Sequence, residues 1–282
     1  MRAAAALLFL SSLASCSGGD ESANGGPTGG AGGTSSGGTA GVGGGASGSN
    51  SGGGNAGLGG GGSGGSGGGA AGVPGWKLVF QDDFDGAAVD ESAWGLYDSP
   101  GHAGNGLRRP EAISVKDGWL TITAQMSQGE LVSGGMAMKQ NFKYGRFEFR
   151  VRTDVDPSAT MSGVVLTWPE SGNWPSDGEN DMYETGHDST RKPFSTFIHY
   201  GADNQQYYTK HDADGAEWHV MAMEWEADEI RIYRDGPQVW NLTDAVAIPD
   251  VPHHMTIQLD AFDKSLPAPV QMHVDWVRIY QR

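Results

Sequence analysis

In the run Trp174-Pro175-Ser176-Asp177-Gly178-Glu179-Asn180-Asp181-Met182-Tyr183-Glu184, three acids sit at a spacing that could support acid/base chemistry. Side chains on an extended strand alternate with period two, so Glu179 and Asp181 share a face. Glu184 stands five residues from Glu179, and an ideal strand would turn it to the other side. One residue bulged out at Met182 or Tyr183 would bring it back. Three carboxylates lining one groove crowd like charges, which raises the pKa of at least one and keeps a proton on it near neutral pH. A bare carboxylate beside a protonated carboxyl is what cleavage of a glycosidic bond needs: one attacks or stabilises the anomeric carbon, the other protonates the leaving oxygen. A solvated strand face or a calcium site also explains an acidic cluster of this kind, and the surrounding sequence has to decide.

The elements that must hold these acids read as strands. Phe147, Phe149 and Val151 alternate with Arg146, Glu148, Arg150 and Arg152, as a half-buried strand requires. Val270, Met272, Val274 and Trp276 alternate in the same way with Gln271, His273 and Asp275, and the pattern places Trp225 and Trp276 in the core. Asp117-Gly118 and Asp235-Gly236 each separate two such runs and predict hairpins. Short strands joined by Gly, Pro and Asp turns, in a chain too long for a small barrel, predict an all-β fold of two antiparallel sheets packed face to face. Leu242–Ile248 is the one modest helix candidate.

Composition divides the chain. Most of its 47 glycines fall between Ser17 and Gly75, a stretch with no aromatic residue and only Asp20 and Glu21 charged, which cannot build a core. Residues 76–282 are therefore the folding unit, and residues 16–75 a disordered Gly/Ser-rich linker with a coil reach of roughly 40 Å. With 34 acidic against 18 basic residues the formal net charge is −16, which argues against nucleic acid or anionic membrane as partner and favours a neutral substrate. A single cysteine, Cys16, excludes an internal disulfide and a Cys-based metal cluster. Residues 1–15 carry Arg2 and a short apolar stretch suited to a secretory signal. Leu13-Ala14-Ser15-Cys16 resembles a bacterial lipobox, which implies cleavage before Cys16, lipidation of its thiol and anchoring to the cell envelope outside the cytoplasm.

Glu-x-Asp-x-x-Glu preceded by Trp-Pro and Gly resembles the active-site strand of glycoside hydrolase family 16, the laminarinase, agarase and carrageenase group. Four further segments resemble that family in the same order: Trp76–Phe84 its opening strand, Tyr144–Arg150 its Gly-Arg-Phe-Glu-x-Arg strand, Trp218–Trp225 with Ile230–Gly236 the paired strands after the active site, and Val274–Tyr280 its closing strand. The resemblance implies a β-jelly-roll sandwich of the concanavalin A-like lectin/glucanase type with a concave substrate cleft. It implies Glu179 as nucleophile, Glu184 as general acid/base and Asp181 between them, with retention of anomeric configuration. The bulged spacing sets the chain apart from the mixed-linkage glucanases and plant xyloglucan transferases, which use Glu-x-Asp-x-Glu. Asn180 departs from the family's Ile or Leu, and such a side chain, pointing between the sheets, needs partners. Glu111 stands where many members have an Asn facing the sugar.

By position in the family, Trp168 is expected in the cleft, with Trp174 as a second candidate platform, because the apolar face of a pyranose packs on aromatic rings. His199 resembles the family's cleft histidine and is expected to bond the acid/base carboxyl or a sugar hydroxyl. His253 and His254 are adjacent, so they face opposite sides of a strand and make poor joint metal ligands. No catalytic cofactor is expected. A structural calcium is implied at Asp83, the Gly118 carbonyl and Asp275, against a simple reading of acidic surface. The function expected is a monomeric retaining endo-glycosidase acting on an extracellular polysaccharide, a β-1,3-glucan first, touching a membrane only through its lipid. Action on a galactan, transglycosylation, and a non-catalytic carbohydrate-binding lipoprotein remain open alternatives.

Overall fold

The computed structural model describes residues 72–282. The expectations for residues 1–71, namely the signal segment, Cys16 and most of the Gly/Ser linker, lie outside the described residues. Eighteen strands follow in order: β1 (Lys77–Asp82), β2 (Trp94–Leu96), β3 (Ser99–Pro100), β4 (Leu107–Arg108), β5 (Ile113–Lys116), β6 (Trp119–Ser127), β7 (Glu130–Ser133), β8 (Gly135–Met138), β9 (Gly145–Thr153), β10 (Met161–Pro169), β11 (Glu179–Glu184), β12 (Phe194–Tyr200), β13 (Gln205–His211), β14 (His219–Trp225), β15 (Ile230–Arg234), β16 (Gln238–Leu242), β17 (His253–Ala261) and β18 (Val270–Gln281).

They form two sheets. One runs β13-β12-β11-β10-β17-β8-β2, and the other runs β16-β15-β14-β9-β18-β6-β7-β4-β3, with β1 added on β18 and β5 on β6. Every pairing is antiparallel except a two-residue parallel contact of β4 with β7. The first and last strands pair, Lys77 opposite Gln281, which closes the unit on itself. Between the sheets lies one apolar layer: Phe147, Phe149 and Val151 from β9, Met221, Met223 and Trp225 from β14, and Met255, Ile257 and Leu259 from β17 are all fully buried. The period-two pattern of the sequence is thus the pattern of burial.

Both Asp-Gly hairpins are present. Asp117 and Gly118 have φ of 58° and 85°, and Asp235 and Gly236 have φ of 53° and 104°, the left-handed pairs that a two-residue turn between twisted strands requires. Two expectations are corrected. Leu242–Ile248 is no helix: Leu242 ends β16 and a turn follows. Trp276 is not in the core as Trp225 is; a register shift between Val274 and Trp276 moves the inward alternation to Val277 and Ile279, and Trp276 turns outward under the Arg278 guanidinium, 5.2 Å from its ring centre.

Candidate active site

The acids stand on β11, third strand from one edge of the seven-stranded sheet. Just before it, Gly178 has φ of +82°, and a Cβ there would lie 2.5 Å from the Pro249 ring; only glycine lets the chain enter β11 at this point. Along β10, Leu166 pairs with Asp181, Val165 with Tyr183 and Val164 with Glu184, so Met182 has no partner and is the bulged residue. On the other edge Glu179 faces His199, Asp181 faces Phe197 and Glu184 faces Ser195, every second residue of β12. The extra residue therefore returns Glu184 to the face of Glu179 and Asp181, with Met182 and Tyr183 buried behind the sheet.

The three carboxyls sit among specific partners. The Trp174 indole Nε1–H donates to Glu179 Oε2 at 2.5 Å. His199 Nε2 lies 3.1 Å from Asp181 Oδ2, and its Nδ1 lies 2.8 Å from Asn204 Oδ1. Gln206 Nε2 lies 3.3 Å from the same Nδ1, so two side-chain amides meet one ring nitrogen while Nε2 faces Asp181. Of the two partners expected for His199, the acid/base carboxyl or a sugar hydroxyl, the first is not met: its carboxyl neighbour is Asp181, because register places it opposite Glu179, at the far end of β11 from Glu184. Trp168 lies parallel to Trp174, ring centres 6.1 Å apart at 7°, and both are half-buried on the Glu179 side. Trp174 comes from the loop before β11, where Ser171 Oγ donates to Asp177 at 2.6 Å and helps fix the turn.

Burial is the first cause of every pKa displacement here. It raises Glu179 well above the usual carboxylate range, seconded by the charge of Asp181 and opposed by His199 and the Trp174 N–H. It pushes Asp181 to about 7, against a hydrogen bond with Glu179. It pushes Glu184 to about 8, with the charge of Asp181 adding to the rise. All three acids are raised together, and buried, mutually interacting carboxyls in a cleft mark a place where acid/base chemistry can be done.

Two further residues shape the field, and sequence reading did not single them out. Asp260, on β17, is buried and raises both Asp181 and Glu184. Arg108 Nη2 donates to its Oδ1 at 2.6 Å and Gln258 Nε2 to its Oδ2 at 2.7 Å. No motif announces this pair, which comes from segments 152 residues apart. Glu111 is exposed on a short 3-10 turn (Pro110–Ala112) and makes no hydrogen bond or ion pair to the acids among the described residues; Arg108, two residues before that turn, bonds Asp260.

The segments holding Asp83, Gly118 and Asp275 run side by side, since Asp82 pairs with Val277 and Leu120 with Val274. Asp83 is ion-paired with Arg278, and Asp275 accepts from Arg150 Nη1 at 2.5 Å. His253 and His254 point to opposite faces: His253 is fully buried 5.0 Å from the Trp225 ring, and His254, paired with Trp168, reaches Asn141.

The family model for glycosyl hydrolases family 16 matches residues 105–278, which hold all three acids, both tryptophans and His199. The chain is similar to a glucan endo-1,3-beta-glucosidase A1 of Niallia circulans, 27% identical over 275 residues that take in 74% of this chain and 38% of that protein. It is similar to a beta-glucanase of Rhodothermus marinus, 28% identical over 74% of this chain and 86% of the other. Its fold is similar to the laminarinase catalytic domain of Thermotoga maritima, with a TM-score of 0.63 at 23% identity, covering 73% of this chain and 98% of that one. With its acids on one bulged strand of a two-sheet sandwich and the family's model matched across most of the folded unit, this chain belongs to the glycosyl hydrolases of family 16.

Proposed function

We propose that the protein is a retaining endo-glycosidase that cleaves β-1,3-glucan chains in the groove over β11. The observation that carries this reading is the bulge at Met182, which sets Glu184 on the face of Glu179 and Asp181. A relative named for endo-1,3-glucan hydrolysis supports the choice of substrate.

In this reading Glu179 attacks the anomeric carbon in its ionised form, which burial and the Asp181 charge oppose and which the Trp174 N–H and His199 favour. Glu184, whose carboxyl keeps its proton to about pH 8, gives that proton to the leaving oxygen. The resulting glycosyl ester on Glu179 is opened by water, from which Glu184, now a carboxylate, takes a proton; the two inversions give net retention. Asp181, pushed to about 7, donates its carboxyl proton to Glu179 and lies 3.1 Å from His199 Nε2. Glu179→Gln keeps the shape and removes the nucleophile, so release of reducing ends from laminarin should fall to background while oligosaccharide binding persists. Undiminished turnover in that variant rules the assignment out.

A structural calcium would be held by Asp83, the Gly118 carbonyl and Asp275. Each carboxylate spends one oxygen on a guanidinium, Asp83 on Arg278 and Asp275 on Arg150, so a calcium would be held through their other oxygens beside two positive charges. The proposed reaction draws on no metal. The Leu13-Ala14-Ser15-Cys16 run supports secretion and anchoring of the enzyme through lipid on Cys16.

A further inference from the structure

β13 is the edge strand of the cleft sheet, and its alternate residues Gln206, Tyr208 and Lys210 pair with His199, Phe197 and Ser195 of β12. Those three are in turn the partners of Glu179, Asp181 and Glu184, so all of them share the cleft face. Asp181, Phe197 and Tyr208 make one row across three strands. With neighbouring strands about 4.8 Å apart, the row carries an aromatic surface roughly 10 Å from the acids to the sheet edge. The Phe197 and Tyr208 rings stack, centres 5.7 Å apart at 29°.

Tyr208 is 57% exposed, a large ring left open to water on an edge strand. Its neighbour Tyr207, on the other face, is employed: its ring stacks on Tyr200 at 5.6 Å and its hydroxyl donates to Asp244 at 2.9 Å. Tyr208 makes no such hydrogen bond among the described residues. Gln206 and Lys210, both exposed, flank it with polar groups, and Gln206 reaches back to His199 Nδ1 at 3.3 Å. An open aromatic face bordered by hydrogen-bonding side chains, continuous with a sugar-cleaving centre, matches a pyranose, whose C–H face is apolar and whose hydroxyls point outward.

We propose that Phe197 and Tyr208 form a sugar-binding platform that holds the part of the glucan chain leaving the catalytic centre across β12 and β13, with Gln206 and Lys210 bonding the hydroxyls at its rim. The platform rests on the glycosidase reading above and adds a specificity determinant to it. It binds ground state and transition state alike, so its loss weakens binding without slowing chemistry.

The test compares wild-type, Tyr208→Ala and Tyr208→Phe enzymes on whichever of laminarin, lichenan and agarose the wild type cleaves, together with an end-labelled oligosaccharide series. Tyr208→Ala should raise KM about tenfold with kcat within twofold, and should move the bond first cut in the labelled series. Tyr208→Phe, which keeps the ring, should stay within twofold of wild type in KM. Wild-type turnover tests the glycosidase reading, and the ratio of variant to wild type tests the platform. An active wild type whose Tyr208→Ala variant has unchanged KM and cleavage position overturns the platform alone, as does a Tyr208→Phe variant that fails as Tyr208→Ala does. A wild type idle on all three glycans overturns both.

Discussion

A carboxyl that keeps its proton to about pH 8 leaves a mark on stability as well as on rate. Glu184 in an unfolded chain titrates near 4.5, so between that value and about 8 the folded protein holds a proton that the unfolded chain has released. Stability must then fall as pH rises through this window: the contribution is intact below the unfolded value and is lost as pH passes the folded one. Glu184→Gln removes the group that titrates. Its melting temperature relative to wild type should climb by roughly 10 °C between pH 5 and pH 8, and a constant difference in thermal melts at the two pH values would refute the raised carboxyl. That crowded acids would keep a proton was legible in their spacing. The larger cause, burial, was not, because it depends on the strands and loops that close over β11. His199 was recognisable as a cleft residue, but which carboxyl it meets follows from the register of β12 against β11. Asp260 and Arg108 left no local signal at all, since neither means anything until β17 and β4 lie on one side of the cleft.

Strand irregularities decide which side chains reach the chemistry. The spacing of Glu179 and Glu184 demanded a bulge, and the sheet supplies it at Met182. The same device at Asp275 defeated the simple alternation that placed Trp276 in the core: nothing functional in that stretch required an irregularity, so none was read. Leu242–Ile248 misled for another reason, a short apolar stretch whose buried residues Leu242, Ala247 and Ile248 cap the core from a strand end and a turn. Asn180 illustrates what an element tolerates at its centre. Fully buried, it donates through Nδ2 to Thr167 Oγ1 at 2.9 Å, while its Oδ1 has no partner. An unmet buried acceptor costs about 1–3 kcal/mol, against about 1 kcal/mol gained from the bond it makes. Asn180→Leu should therefore raise the melting temperature by about 2–4 °C. Thr167 Oγ1 stays within 3.1 Å of His253 Nδ1, which spares it from becoming a new orphan. A lower melting temperature in a calorimetric scan would mean that Oδ1 has a partner after all.

At the scale of the molecule, segment order and alternation made the sandwich legible, but neighbour choice was not: that β18 takes β9 on one edge and both β6 and β1 on the other follows from packing of whole strands. The pairing of β1 with β18 has a consequence for anything attached ahead of it. Arg282 lies over the Trp76 ring at 4.1 Å and donates to Glu226 at 2.9 Å, so the start and the end of the sandwich are pinned together on one strand pair. The cleft is on the other sheet, built from β10, β11, β12 and β17. Lipid on Cys16 would therefore set where the enzyme works without touching how it works. Each buried methylene of an acyl chain contributes about 0.8 kcal/mol to membrane binding, and chains added together hold a protein at a bilayer that its own acidic surface does not favour. Cys16→Ser removes the thiol proposed to carry the lipid. The variant should move from the detergent phase to the aqueous phase on phase partitioning, and from the envelope to the medium on fractionation. Its kcat/KM on a soluble glucan should stay within twofold of wild type, because no residue of the cleft sheet is altered. Retention in the envelope would show that something other than Cys16 holds the protein there, and a large loss of kcat/KM would show that the leader reaches the cleft.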